Sequence, residues 1–292
     1  MRALVAGWFS FELMGASAGD LLACDVVCGW LDRGSVPYDV ALAPPFAGGV
    51  DWKTVDPHSY TDLIFVCGPI GDGPPVDELL ARFTGRRLTG INLTMLHRLN
   101  EWQPFDLLWE RDSSDRARPD VALLSTRPLA SVVGTVLIDS QPEYGERDRS
   151  VDAHAAIERV LGARELAVVR IDTRLDEDGG ALRSPAQVES LIARMDAVVT
   201  TRLHGTVLAL KNGVPAVVID SVAGGDKVSR QARALGWPAL LLADGLDDSD
   251  VAAALEWCLS REARARADEV VRAAAGQLDE VEREFRAAFT RR

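Results

Sequence analysis

Arg202 and His204, with Leu203 between them, stand where a β-branched apolar run, Ala197 to Thr201, gives way to helical spacing. The first turn of a helix presents free N–H groups and the positive end of the helix dipole. A guanidinium and an imidazole added there make an anion site. In an open parallel sheet, the step from strand end to helix start is also the edge where ligands bind. The chemistry these residue types suggest is the holding of a small anionic substrate.

The elements around the pair read clearly. Leu203 to Asn212 carries apolar Leu203, Val207, Leu208 and Leu210 at helical spacing. Gly213 and Pro215 stop that helix, and Ala216 to Asp220 is a second buried strand. The segment 196–220 is therefore a strand, helix and strand with Arg202 and His204 at the ligand edge. Upstream, Val132 to Ile138 is a strand followed by the loop Asp139 to Gly145. A helix spans about 149–161, a strand Leu166 to Ile171, and a polar loop Asp172 to Arg183 carries Gly179 and Gly180. Ser184-Pro-Ala-Gln187 has the pattern of a capping box. Beyond Asp220 come a turn at Gly224 to Lys227, a helix, a last strand at Leu240 to Leu242, and helices at 250–259 and 262–289.

The first half repeats this alternation. Strands are expected at Arg2 to Ala6, Tyr38 to Leu42, Leu63 to Cys67, Leu88 to Leu93, Leu107 to Trp109 and Val121 to Leu124. Helices are expected at Leu21 to Arg33 (with Asp20 as its N-cap), at Val76 to Phe83 and at Thr94 to Asn100. Glycine-containing loops follow two of the strands, Gly7 to Asp20 and Gly68 to Pro75, and neither matches a nucleotide-binding motif. His58 and His97 lie in or near loops and read as surface or satisfied histidines. Short apolar runs alternating with helical patterns indicate α/β architecture with doubly wound parallel sheets. With 292 residues, two such Rossmann-like domains are expected. Their bounds are 1–128 and 129–262, with a C-terminal helix at 263–292. Two such halves facing a cleft would form a GT-B-like fold, which by itself says little about the reaction.

Composition narrows the partners. A net charge of −12 argues against general binding to nucleic acid or to an anionic membrane surface. Cys24, Cys28, Cys67 and Cys258 show no C-x-x-C spacing, and no Cys/His pair has zinc-finger spacing, so buried thiols in a reducing compartment are expected and no metal site is. There is no signal-peptide pattern and no apolar run long enough to span a bilayer, which gives a cytoplasmic expectation without stable membrane insertion.

Several segments then converge on one family. Thr201-Arg-Leu-His-Gly205, followed by Leu-Ala-Leu-Lys-Asn-Gly-Val-Pro at 208–215, resembles the turn, helix and G-V-P strand entry of the polysaccharide pyruvyl transferases. Lys227 stands where that family has a lysine in the next loop. Gln231 to Pro238 is similar to its helix ending in L-G-x-P. Glu110-Arg-Asp-Ser-Ser114 with Pro119-Asp120 is similar to its R-D-x-x-S and P-D pair. The Gly7 to Asp20 loop, and the Gly68 loop where the family has G-G-G, match more loosely.

The resemblance implies transfer of a pyruvyl group from phosphoenolpyruvate to sugar hydroxyls of a polysaccharide, glycolipid or glycosylated metabolite, with no cofactor required. It implies that Arg202 holds phosphate or carboxylate. It gives His204 the proton transfers or the stabilisation of leaving phosphate. Lys227 becomes a second anion contact, and Gly205 a point of close backbone approach. Leu203, Gly15, Asp20 and Gly68 complete the implied substrate-binding set. Partners would be a small-molecule donor and a sugar acceptor, and a homo-oligomer is compatible with this.

Without the resemblance, the plainer readings are an Arg202 paired to a carboxylate of the other domain and a buried, satisfied His204. One departure is specific. The family's first strand of the second domain commonly ends in an S-L-R-like segment. Here it ends in Asp139-Ser140-Gln141, so Arg147, Arg149 or Arg170 would have to substitute, or the donor would bind differently, or phosphoenolpyruvate would not be the donor at all. The alternatives are a GT-B glycosyltransferase using a nucleotide sugar and a non-catalytic relative that binds an anionic sugar.

Overall fold

The computed structural model describes residues 1–112, 117–139, 141–175 and 182–290. Ser113 and Ser114 of the Arg-Asp segment, Ser140 beside Asp139, and Gly179 and Gly180 of the polar loop lie outside the described residues. The chain divides into two compact units, Met1–Pro128 and Leu129–Arg292.

The first unit runs β1 (Ala3–Ala6), α1 (Ala18–Arg33), β2 (Tyr38–Val40), β3 (Asp62–Ile70), α2 (Val76–Arg82), β4 (Arg87–Met95) and β5 (Leu107–Glu110). Its strands pair in parallel in the order β2-β1-β3-β4-β5. The second unit runs β6 (Ser131–Val136), α3 (Ser150–Gly162), β7 (Leu166–Arg170), α4 (Pro185–Ile192), β8 (Ala197–Thr200), α5 (Leu203–Lys211), β9 (Ala216–Asp220), α6 (Lys227–Ala234), β10 (Leu240–Leu242), α7 (Asp248–Cys258) and α8 (Arg261–Thr290). Its sheet is also parallel, in the order β10-β9-β8-β6-β7.

Both sheets share one logic. The first strand of each unit lies between the second and the third, so the connections leave it in opposite directions. That reversal opens a crevice at the carboxyl ends of β1 and β3, and of β6 and β8. The buried runs that made the strands legible fill the cores. Val198, Val199, Val217, Val218 and Ile219 sit in the second, and Leu4, Phe65, Leu79 and Phe83 in the first.

Four local expectations differ from the structure. Helix α1 begins at Ala18, and Ser17 is its N-cap. Asp20 is the third helical residue and closes a capping box, its Oδ2 accepting from Ser17 N at 2.7 Å. Strand β3 continues through Gly68 to Ile70, so Gly68 lies in a strand where a loop was expected. Cys67 and Gly68 take left-handed φ values of 66° and 87°, and Asn92, opposite in β4, has φ 58°. This shared kink lets both strands run on, which also makes Thr94 and Met95 strand where a helix was expected. Val121–Leu124 is a single 3-10 turn, not a strand, because Asp120 caps it by accepting from Ala122 N. A short apolar run cannot distinguish these outcomes by itself.

Among the described residues no helix is long and apolar enough to cross a membrane. The four cysteines are buried free thiols.

Candidate functional site

The carboxyl ends of β6 and β8 are bound together by side chains at the end of β8 and just beyond it. Thr200 Oγ1 donates to Val136 O at 2.8 Å. Thr201 Oγ1 accepts from Ile138 N at 2.8 Å. Arg202 Nε donates to Leu137 O, also at 2.8 Å. These three backbone groups at the crevice thus find partners, and the Arg202 side chain is fixed at its root. That side chain is only 13% exposed. Its anchored Nε turns the end of the guanidinium toward a cavity of 390 Å³, lined also by Leu137, Asp139, His154, Arg170, Asp172 and Arg174.

Charges in this cavity are arranged, not scattered. Arg174 reaches Asp139 Oδ2 at 3.1 Å and Asp172 Oδ2 at 3.3 Å. Asp172 Oδ1 accepts from Arg174 N at 2.9 Å and lies 3.9 Å from an Arg202 terminal nitrogen. Burial pushes the Asp172 carboxyl up, but the Arg174 backbone N–H and guanidinium, with the Arg202 charge, outweigh it and hold the group below its ordinary value. The carboxylate stays ionised between two arginines. His154, on α3, places a buried Nε2 in the same cavity without a hydrogen-bond partner among the described residues.

Of the arginines proposed to replace the missing family arginine, only Arg170 lines this cavity. Arg147 is committed to Ala223 O and Gly225 O, and Arg149 to Glu146 O and Asp148 O. Both guanidiniums organise loops. The sequence reading missed Arg174 and His154. The available signal was topological: β7 is the neighbour of β6, so the residues after β7 must lie beside the crevice.

The other candidates fall into separate places. His204 is exposed at the start of α5, which removes the reading of a buried, satisfied histidine. Leu203 packs its side chain on the core of the second unit. Gly205 is demanded by packing: a Cβ there would lie 2.1 Å from Thr200 Oγ1 and 2.9 Å from Val136 Cγ1. This fit, more than ligand approach, accounts for the glycine. Lys227 lies outside the cavity; it is exposed, and its ammonium stands 5.8 Å from the Tyr144 ring centroid.

In the first unit, a Cβ on Gly68 would lie 2.5 Å from the Trp8 ring and 3.7 Å from Asp20 Oδ1. Asp20 and Gly68 are thus neighbours, and Asp20 also faces the Cys67 thiol. Burial first, and then that carboxylate, raise the thiol to about 11. Gly15 lies in the loop before α1 with φ 73°, and a Cβ there would meet nothing within 4 Å. Arg111 and Asp120, of the R-D and P-D segments, meet at 2.9 Å, and Asn92 donates to Asp120 Oδ1 at 3.0 Å. This network ties the end of the unit to β4. Among the described residues no group of three His, Cys, Asp or Glu side chains could hold a metal.

The segment that builds the crevice decides the relationship. Residues 120–221 match the family model described as polysaccharide pyruvyl transferase. The similarity to that family lies in this segment, about a third of the chain. The matched span begins at Asp120, contains Arg170, Arg174, Arg202 and His204, and ends before Lys227. No curated protein matches the chain.

Solved structures resemble it distantly. CalG4, the calicheamicin glycosyltransferase, is 14% identical, with 96% of this chain and 97% of that one covered and a TM-score of 0.34. UDP-GlcNAc 2-epimerase from Methanocaldococcus jannaschii is 9% identical over 94% and 99%, with a TM-score of 0.34. Spinosyn rhamnosyltransferase SpnG, solved with spinosyn aglycone, is 13% identical over 92% and 95%, with a TM-score of 0.34. At these identities and scores the likeness carries no argument about activity.

Proposed function

We propose that the protein transfers a pyruvyl group from phosphoenolpyruvate to two hydroxyls of a sugar in a polysaccharide, glycolipid or glycosylated metabolite, in the cytoplasm and with no cofactor. The observation that carries this reading is Arg202. It is anchored at the crevice of the second sheet, within the matched family segment, and shares its cavity with two further guanidiniums. A donor that carries both phosphate and carboxylate suits such a site.

A proton adds to the methylene carbon of phosphoenolpyruvate, turning it into a methyl group and leaving the adjacent carbon electron-poor. One sugar hydroxyl adds there and loses its proton. The carbon–oxygen bond to phosphate then breaks, and the electron pair leaves with the phosphate. The second hydroxyl closes the ketal and loses its proton in turn. Of the two protons released by the hydroxyls, one matches that taken up by carbon and the other leaves on hydrogen phosphate. Arg202 would bind the donor and stabilise charge on the departing phosphate. The exposed His204 would carry protons at the start of α5.

The test is incubation with phosphoenolpyruvate and a panel of sugars, reading released phosphate and the mass of the ketal. Phosphate released in step with ketal supports the reading. No turnover and no donor binding across a broad panel would refute it.

A further inference from the structure

Among the described residues, three guanidiniums and two carboxylates line one cavity. Both carboxylates engage Arg174, one of those guanidiniums. They are not held equally. Asp172 receives both the backbone N–H and the side chain of Arg174. Asp139 has a side chain 75% exposed, and the ion pair recorded for it is the 3.1 Å contact with Arg174. An ion pair so open to solvent is weak and easily exchanged.

We propose that Arg170, Arg174 and Arg202 form a cradle for a ligand bearing phosphate and carboxylate groups, and that Asp139 holds Arg174 until this ligand displaces it. The naming of phosphoenolpyruvate as that ligand rests on the pyruvyl-transfer reading, whereas the cradle stands on the cavity. The arrangement shows how a chain without an arginine at 139–141 could still hold an anionic donor. Its further guanidiniums come from the end of β7 and the loop beyond it, beside the crevice. The aspartate in the family arginine's place then acts as an internal competitor. A ligand with one anionic group would have less to offer in exchange for Asp139 than one with two.

The test is calorimetric titration of the full chain with phosphoenolpyruvate and, separately, with inorganic phosphate. Wild type is compared with Asp139→Asn, Arg174→Gln and Arg174→Lys. Asp139→Asn, a change at an exposed position, should bind phosphoenolpyruvate about two- to fivefold more tightly. Arg174→Gln should bind about tenfold more weakly, with Arg174→Lys between, since an ammonium keeps the charge but not the fork. Unchanged or weaker binding by Asp139→Asn, or unchanged binding by a folded Arg174→Gln, would overturn the proposal. Wild type that binds neither anion would overturn both the cradle and the donor assignment. Phosphate binding that follows the expected order, without turnover of phosphoenolpyruvate on any sugar, would remove the pyruvyl reading and leave the cradle standing.

Discussion

Gly205 shows how one residue type can serve packing at a site whose neighbours serve chemistry. Its missing Cβ is what lets α5 lie against Thr200 and Val136. Gly205→Ala should therefore destabilise the second unit by about 1–3 kcal/mol through overpacking, measured by urea unfolding. A stable Gly205→Ala variant with impaired donor binding would instead restore the ligand-approach reading. His204 makes the opposite prediction. It is exposed, and no core residue depends on it. His204→Ala should leave the melting temperature unchanged while lowering kcat, about 10²- to 10⁴-fold if it moves a proton in the rate-limiting step. A variant with full kcat would take His204 out of the reaction.

Whole elements were more legible than their ends. The segment 196–220 read correctly because its signals agree: a β-branched run, helical spacing, Gly213 at the stop, then Pro215 and a second apolar run. The capping pattern at Ser184 also formed, with its Oγ accepting from Gln187 N at 3.2 Å. The Gln187 amide reaches back to Arg183 N instead of Ser184 N. The kinked strands β3 and β4 were not legible, since Cys67 carries no local signature of left-handed backbone and the tolerance of Asn92 for it is too weak a signal on its own. At the site, Arg202 could be found from its spacing, while Arg174 and His154 required the strand order. Lys227 was drawn in by resemblance alone, and its own contact is with Tyr144.

The turn at Val121–Leu124 gives a pH prediction. Burial raises the Asp120 carboxyl, but the Ala122 N–H, the Arg111 guanidinium and Asn92 outweigh it and hold it below its ordinary value. A depressed folded value means that this stability is fully present above the unfolded carboxylate value, near 3.9. It is lost as pH falls from there through the lower folded value. Thermal melts of Asp120→Asn should thus show a lower melting temperature at neutral pH and a shallower loss toward acid than wild type. Parallel curves would show that the Arg111–Asp120 pair contributes nothing.

At the scale of the molecule, two parallel sheets of one topology each possess their own core and crevice. The chain's net charge of −12 opposes anionic ligands in general. A cavity lined by three arginines and two aspartates, at the switch point of the second sheet, therefore gathers guanidiniums within an acidic chain, and it coincides with the segment matched at 120–221. The central claim is that these guanidiniums hold phosphoenolpyruvate for transfer. Its most direct test is calorimetric titration of phosphoenolpyruvate into wild type and Arg202→Gln, run at one ionic strength with both proteins shown to be folded. The account predicts saturable binding by wild type and a loss of about tenfold or more in the variant. Equal affinity in the two proteins, or no binding by either, would contradict it.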